Sequence, residues 1–104
     1  ASYVNLNRDP TTWRRWLAEK GPILTRLNCD NPWMNAKQSG GMLQLYDPMS
    51  ASGGHAVALV GYDQSMFIVR NSWGKDAWGD KGFAYASNAY AAAAFTEAYG
   101  VHVT

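Results

Sequence analysis

The chain has 104 residues, which is room for one domain or part of one and not for two independent cores. With 47% apolar and 16% charged residues it is a globular candidate and not a disordered one, and five Trp and six Tyr supply bulk for a core or a groove. Nine Lys+Arg against eight Asp+Glu leave a formal charge of +1, which is no electrostatic footprint for nucleic acid or anionic lipid.

No run approaches the roughly 18 apolar residues of a membrane-spanning helix, and no basic region followed by an apolar core opens the chain, so a membrane partner is not expected and no compartment is assigned. Cys29 is the single cysteine; an internal disulfide and a Cys-based zinc cluster are both excluded within the chain, and neither a metal nor a cofactor is expected.

Asp9-Pro10 followed by Thr11 to Lys20 reads as a capped helix. Asp9 accepts orphan backbone N–H groups, Pro10 suits the first turn, and Trp13, Trp16 and Leu17 form one stripe that Gly21-Pro22 ends. The same stripe makes Trp13-Arg14-Arg15-Trp16 an amphipathic face rather than a binding patch. Ile23–Leu27 predicts a short strand, and the turn formers of Asn28 to Gly41 predict a long surface loop. Gly40–Tyr46 alternates weakly, and Asp47 to Gly54 returns to small and turn-forming residues.

Two apolar runs follow, Ala56–Val60 and Met66–Val69, each too short for a helix. The five residues between them suit a hairpin loop and not a parallel crossover. Beyond Asn71, three glycines and two tryptophans predict a structured loop with a tight backbone running into a strand near Gly82–Ala86. Asn88 to Ala98 has helical propensity with Asn88 as its cap, and Tyr99–Val103 predicts a closing strand.

A hairpin centred on Asp63 places His55 directly opposite Asn71, where Cβ atoms lie roughly 4.5–5.5 Å apart. An amide oxygen that holds one imidazole nitrogen as a donor leaves the other free to exchange a proton with a third group. The residues alone support two readings: a buried histidine satisfied by a polar neighbour, or a general base awaiting a nucleophile.

The segment GGHAVALVGYDQSMFIVRNSWGKDAWGDKGFAY, residues 53–85, closely resembles the His and Asn region of papain-like cysteine peptidases. The helix that ends in Gly21-Pro22 and enters a strand agrees with that family, and so does the segment Gly40–Tyr46. The resemblance implies an α+β fold: the C-terminal half of a papain-like domain, an antiparallel sheet curling toward a barrel, with an N-terminal helix. Residues 1–104 are then a single C-terminal subdomain, and the Cys-bearing N-terminal half is expected elsewhere.

Carried over by resemblance, His55 matches the catalytic histidine and Asn71 the residue that orients it. Trp73 matches the tryptophan that shields their hydrogen bond, and Trp78 a second aromatic beside the leaving-group side of the cleft. Gly54 stands where a polar residue often precedes the histidine, and Lys75-Asp76-Ala77 lengthens the loop between the tryptophans by one residue. The Asn88-Ala89-Tyr90 tail and the lack of disulfide cysteines are more similar to bacterial members.

The nucleophile is missing. In the resembling family a Cys opens a helix in the N-terminal half, within a pattern whose Gln serves the oxyanion hole, and neither is found here. Cys29 has an acidic neighbour and no glycine-rich approach, and reads as a structural thiol; His102 receives no role.

The resemblance implies cysteine-type peptidase activity, with this chain supplying the base and its orienter. Its partners would be the Cys/Gln-bearing half and a peptide substrate. Alone it is expected to be inactive and prone to self-association through an exposed cleft wall. The alternative is a non-catalytic peptide- or partner-binding module built on the same half. A transglutaminase-like acyl transferase fits less well, because Asn and not Asp partners the histidine.

Overall fold

The computed structural model describes residues 2–102. The chain starts on strand β1 (Ser2–Asn5) and then enters helix α1 (Pro10–Glu19), so a strand precedes the expected first helix. Asp9 caps α1 as its sequence predicts, its carboxylate accepting from Thr11 N–H at 3.1 Å and the Thr12 hydroxyl at 2.8 Å. Trp13 is fully buried and Trp16 half-buried. Arg14 lays its guanidinium 4.4 Å from the centre of the Phe67 ring, so the basic-aromatic cluster is used inside the fold.

Strand β2 (Ile23–Cys29) alternates buried and exposed along its whole length, the signature of a sheet with one covered face. The 28–41 stretch is not a surface loop. Asp30 caps a short helix, α2 (Asn31–Met34), and Trp33 and Ala36 are fully buried. A two-residue strand, β3 (Met42–Leu43), and a 3-10 turn at Pro48–Ser50 lead to the longest strand, β4 (Ser52–Tyr62). The hairpin partner is β5 (Met66–Arg70), followed by β6 (Phe83–Ser87), α3 (Asn88–Ala94) and β7 (Glu97–His102).

The strands form one sheet in the order β1-β7-β2-β4-β5-β6-β3, with β1 and β3 at its edges. Every pairing is antiparallel except β3 with β6, which is parallel. Helix α1 packs on β4 and α3 on β5 and β6, covering one face. Trp13, Phe67 and Phe95 meet there, with ring centroids 5.7 and 6.2 Å apart. Trp16 packs so close to β7 that a Cβ on Gly100 would sit 2.2 Å from its indole, which explains a glycine in mid-strand.

Two expectations are corrected at the C-terminal end. The cap of α3 is Ser87 and not Asn88: the Ser87 hydroxyl accepts from Tyr90 N–H at 3.0 Å. Asn88 instead receives Arg14 and donates to the Gln64 carbonyl. The helix also stops at Ala94, because Phe95 turns extended to bury its ring, and the last strand therefore starts at Glu97. Val103, expected in that strand, lies outside the described residues.

Candidate active site

His55 and Asn71 meet, but not in the register that the sequence predicts. Asp63 opens the turn and is not its centre: its N–H donates to the Met66 carbonyl at 2.9 Å, and its carboxylate accepts from Ser65 and Met66 N–H at 2.8 and 3.0 Å. The turn is thus centred on Gln64-Ser65. A bulge between Leu59 and Gly61 shifts the ladder again, and its last pair is Ala58 with Arg70. Continued one step, Val57 faces Asn71, and His55 lies two residues further along β4 on the same face.

This diagonal spacing still lets the side chains reach each other. His55 Nε2 lies 2.7 Å from Asn71 Oδ1. Ser72 N–H donates to the same oxygen at 2.8 Å. A backbone N–H can only donate, so the atom it meets is the carboxamide oxygen, and Nε2 of His55 must carry the proton. In the neutral ring Nδ1 is then the bare nitrogen, the one that can take a proton from a nucleophile.

Three tryptophans surround the pair. Trp73 lies nearly parallel to the imidazole, with centroids 4.9 Å apart and planes at 31°, and remains 39% exposed. Trp33 meets the imidazole edge-on at 6.1 Å. Trp78, 2% exposed, stacks on Trp33 at 4.4 Å and donates its Nε1–H to the Trp33 carbonyl at 2.7 Å. Trp78 is thus packed beneath Trp33 and Trp73, whose ring centroid lies 6.3 Å from its own. Gly79 (φ +63°) turns the loop back so tightly that a Cβ there would fall 2.3 Å from the Phe83 carbonyl oxygen.

Trp33 is the site residue that the sequence reading missed. Its signal was present, since Asp30-Asn31-Pro32 repeats the Asp-then-Pro pattern that marks α1 at Asp9-Pro10. Asp30 is fully buried, and its Oδ1 accepts from Trp33 N–H at 3.0 Å and the Tyr90 hydroxyl at 2.7 Å, while Oδ2 accepts from Asp47 N–H at 2.9 Å. One carboxylate thereby ties α2, the loop before β4 and α3 together beneath the site.

Cys29, 8% exposed, ends β2 opposite Ser52. Burial and the neighbouring Asp30 push its thiol up, which opposes thiolate formation. His102 is exposed on β7 opposite Ser2 and takes no part in the pair. Among the described residues no group of three His, Cys, Asp or Glu gathers as a metal site. Gly54 is exposed, and the Arg26 guanidinium covers it.

On the solvent face of the sheet a groove of about 540 Å³ adjoins Asn71 and Ser72. Leu24, Ala56 and Ala58 contribute to its apolar floor, Arg70, Lys75 and Lys81 line it with positive charge, and no acidic residue lines it.

A histidine oriented by an asparagine under a tryptophan, on a sheet of this order, defines the class. The family model for papain family cysteine protease matches residues 1–101, and the chain belongs to that family. It is 34% identical over 88 residues to cathepsin F of Mus musculus and 33% identical over 87 residues to gamete and mating-type specific protein A of Dictyostelium discoideum. These matches cover 79% and 78% of this chain but 18% of each relative.

Among solved structures it is similar to xylellain, a cysteine protease from Xylella fastidiosa, with TM-score 0.81 and 23% identity, over 100% of this chain and 40% of that one. The bromelain protease of Ananas comosus matches with TM-score 0.70 and 18% identity, over 98% of this chain and 50% of that one. The fold is that of a portion of these proteases, and the chain spans less than half of xylellain.

Proposed function

We propose that the chain is the base-bearing half of a cysteine peptidase, with His55 as the general base, Asn71 as its orienter and the nucleophilic thiol supplied by an N-terminal half. The observation that carries this reading is the double acceptance by Asn71 Oδ1, from Ser72 N–H and His55 Nε2–H, which leaves Nδ1 open beneath Trp73. Nδ1 takes the proton of the thiol, and the sulfur attacks the scissile carbonyl carbon. The C–N bond breaks as the imidazolium returns the proton to the leaving nitrogen. Water deprotonated by the same nitrogen then hydrolyses the thioester and frees the thiol.

Cys29 does not serve as this nucleophile, because it is buried and its thiol is pushed up. The groove of Leu24, Ala56 and Ala58 supports docking of the thiol-bearing half, and its cations favour an acidic docking face. The buried Nδ2 of Asn71, which has no partner among the described residues, calls for an acceptor from that half. Without it the chain is inactive, and its apolar floor favours self-association.

The test is denaturing intact-mass analysis after treatment with a thiol-directed covalent peptidase inhibitor, on this chain alone and joined to its thiol-bearing half. An adduct only in the joined protein, lost in His55→Ala and reduced in Asn71→Ala, is the expected result. No adduct in either form would make the chain a binding module without catalysis.

A further inference from the structure

We infer that Arg26 is a specificity residue whose guanidinium selects a carboxylate-bearing side chain on the peptide residue lying beside His55. The inference rests on the peptidase reading above. Gly54 and Ala56 flank His55 on β4, and their absent or small side chains leave a shelf on the solvent face of the strand. Arg26, opposite Ala56 on β2, fills the shelf: a Cβ on Gly54 would lie 1.8 Å from its Nη2 and 2.4 Å from its Cζ. Any side chain at residue 54 would displace the guanidinium, so the glycine and the arginine form one device.

The geometry puts a cation close to the backbone of His55. Consecutive Cα atoms are about 3.8 Å apart, so the guanidinium nitrogen lies no more than about 7 Å from the His55 Cα. An extended peptide advances about 3.3–3.6 Å per residue, so substrate residues one or two positions from the scissile bond fall within the same reach. An acceptor-free fork of five donors in that position matches a carboxylate.

The bland alternative is a solvated arginine paired with its cross-strand acid. Glu97 does stand opposite Arg26 in the β2–β7 register. Its carboxylate, however, takes the Tyr99 hydroxyl at 3.3 Å, and the Arg26 side chain extends the other way, over β4. The charge is therefore turned toward the histidine strand.

The experiment uses this chain joined to its thiol-bearing half and a set of peptides carrying Glu, Leu or Lys at each position flanking the scissile bond. Wild type is expected to cleave the Glu peptide about three- to five-fold faster in kcat/KM than the Leu or Lys peptide at one position, the scale of a partly exposed ion pair. Arg26→Ala levels the three, Arg26→Lys keeps the order with a smaller spread, and Arg26→Glu inverts it toward Lys. A purely structural role would lower all three rates together. Turnover with no charge preference, or a preference unchanged in Arg26→Glu, overturns the assignment while leaving the peptidase reading intact. Absence of both cleavage and inhibitor adduct in wild type overturns the two together.

Discussion

Asp30 joins three separate segments, and its replacement measures what holds the site floor in place. It accepts from Trp33 N–H, Asp47 N–H and the Tyr90 hydroxyl while fully buried. Tyr90→Phe removes one donor to a charged acceptor and is expected to cost about 1.5–3 kcal/mol. Asp30→Ala strands three donors at about 1–3 kcal/mol each, with water relieving the half-buried Asp47 N–H, so about 3–5 kcal/mol is expected. Against the roughly 5–15 kcal/mol that a chain of this size holds in total, that is a large share. Urea unfolding followed by tryptophan fluorescence gives both values, and the double variant gives their coupling, expected to reach at least about 1.5 kcal/mol. An Asp30→Ala chain within about 0.5 kcal/mol of wild type, or strictly additive variants, would refute the hub.

Burial and the Asp30 hydrogen bond push the Tyr90 hydroxyl far above its ordinary value. Its contribution is complete below the unfolded value near pH 10 and lost as pH rises beyond it, because the unfolded chain ionises first. Stability measured from pH 8 to 12 is expected to fall more steeply in wild type than in Tyr90→Phe. Cys29 is expected to resist iodoacetamide in the folded chain and to react promptly in denaturant; rapid stoichiometric labelling of the native chain would contradict its buried place. Trp73→Ala uncovers the His55–Asn71 bond, so exchange of the His55 Nε2 proton, followed by NMR, is expected to accelerate about ten-fold, the equivalent of 1.4 kcal/mol. An unchanged rate would show that Trp73 shields nothing.

Legibility from sequence followed the range of the interactions involved. The cap of α1 was readable because Asp9, Thr11 and Thr12 are local, and the β4–β5 pair was readable because its apolar runs and loop length are local. Asp30-Asn31-Pro32 and Asp47-Pro48 carry the same local signal and were hidden by the surrounding density of turn formers. What turns that stretch inward is non-local: Tyr90, sixty residues on, donates to Asp30, and Trp78 hydrogen-bonds Trp33. The end of α3 is a similar case. Its alanines favour helix through Ala98, but burying Phe95 and pairing β7 with β2 outweigh that propensity. Arg26 reads as an ordinary exposed strand position until Gly54 is seen beneath it.

The His55–Asn71 pair was found through a register that proved to be two residues out, and the reason is physical. Strand side chains alternate with a period of two, so a slip of one residue would have sent Asn71 to the opposite face from His55, whereas a slip of two keeps them together. Two displacements produce that even slip: a turn centred one and a half residues later than Asp63 moves the pairing by three residues, and the extra residue of β4 after Leu59 takes one back. Neither alone preserves the face. The bulge is thus part of the site's construction: Asn71 keeps the covered face that Phe67 and Val69 mark on β5, and without the extra residue in β4 it is His55 that would turn to the solvent face.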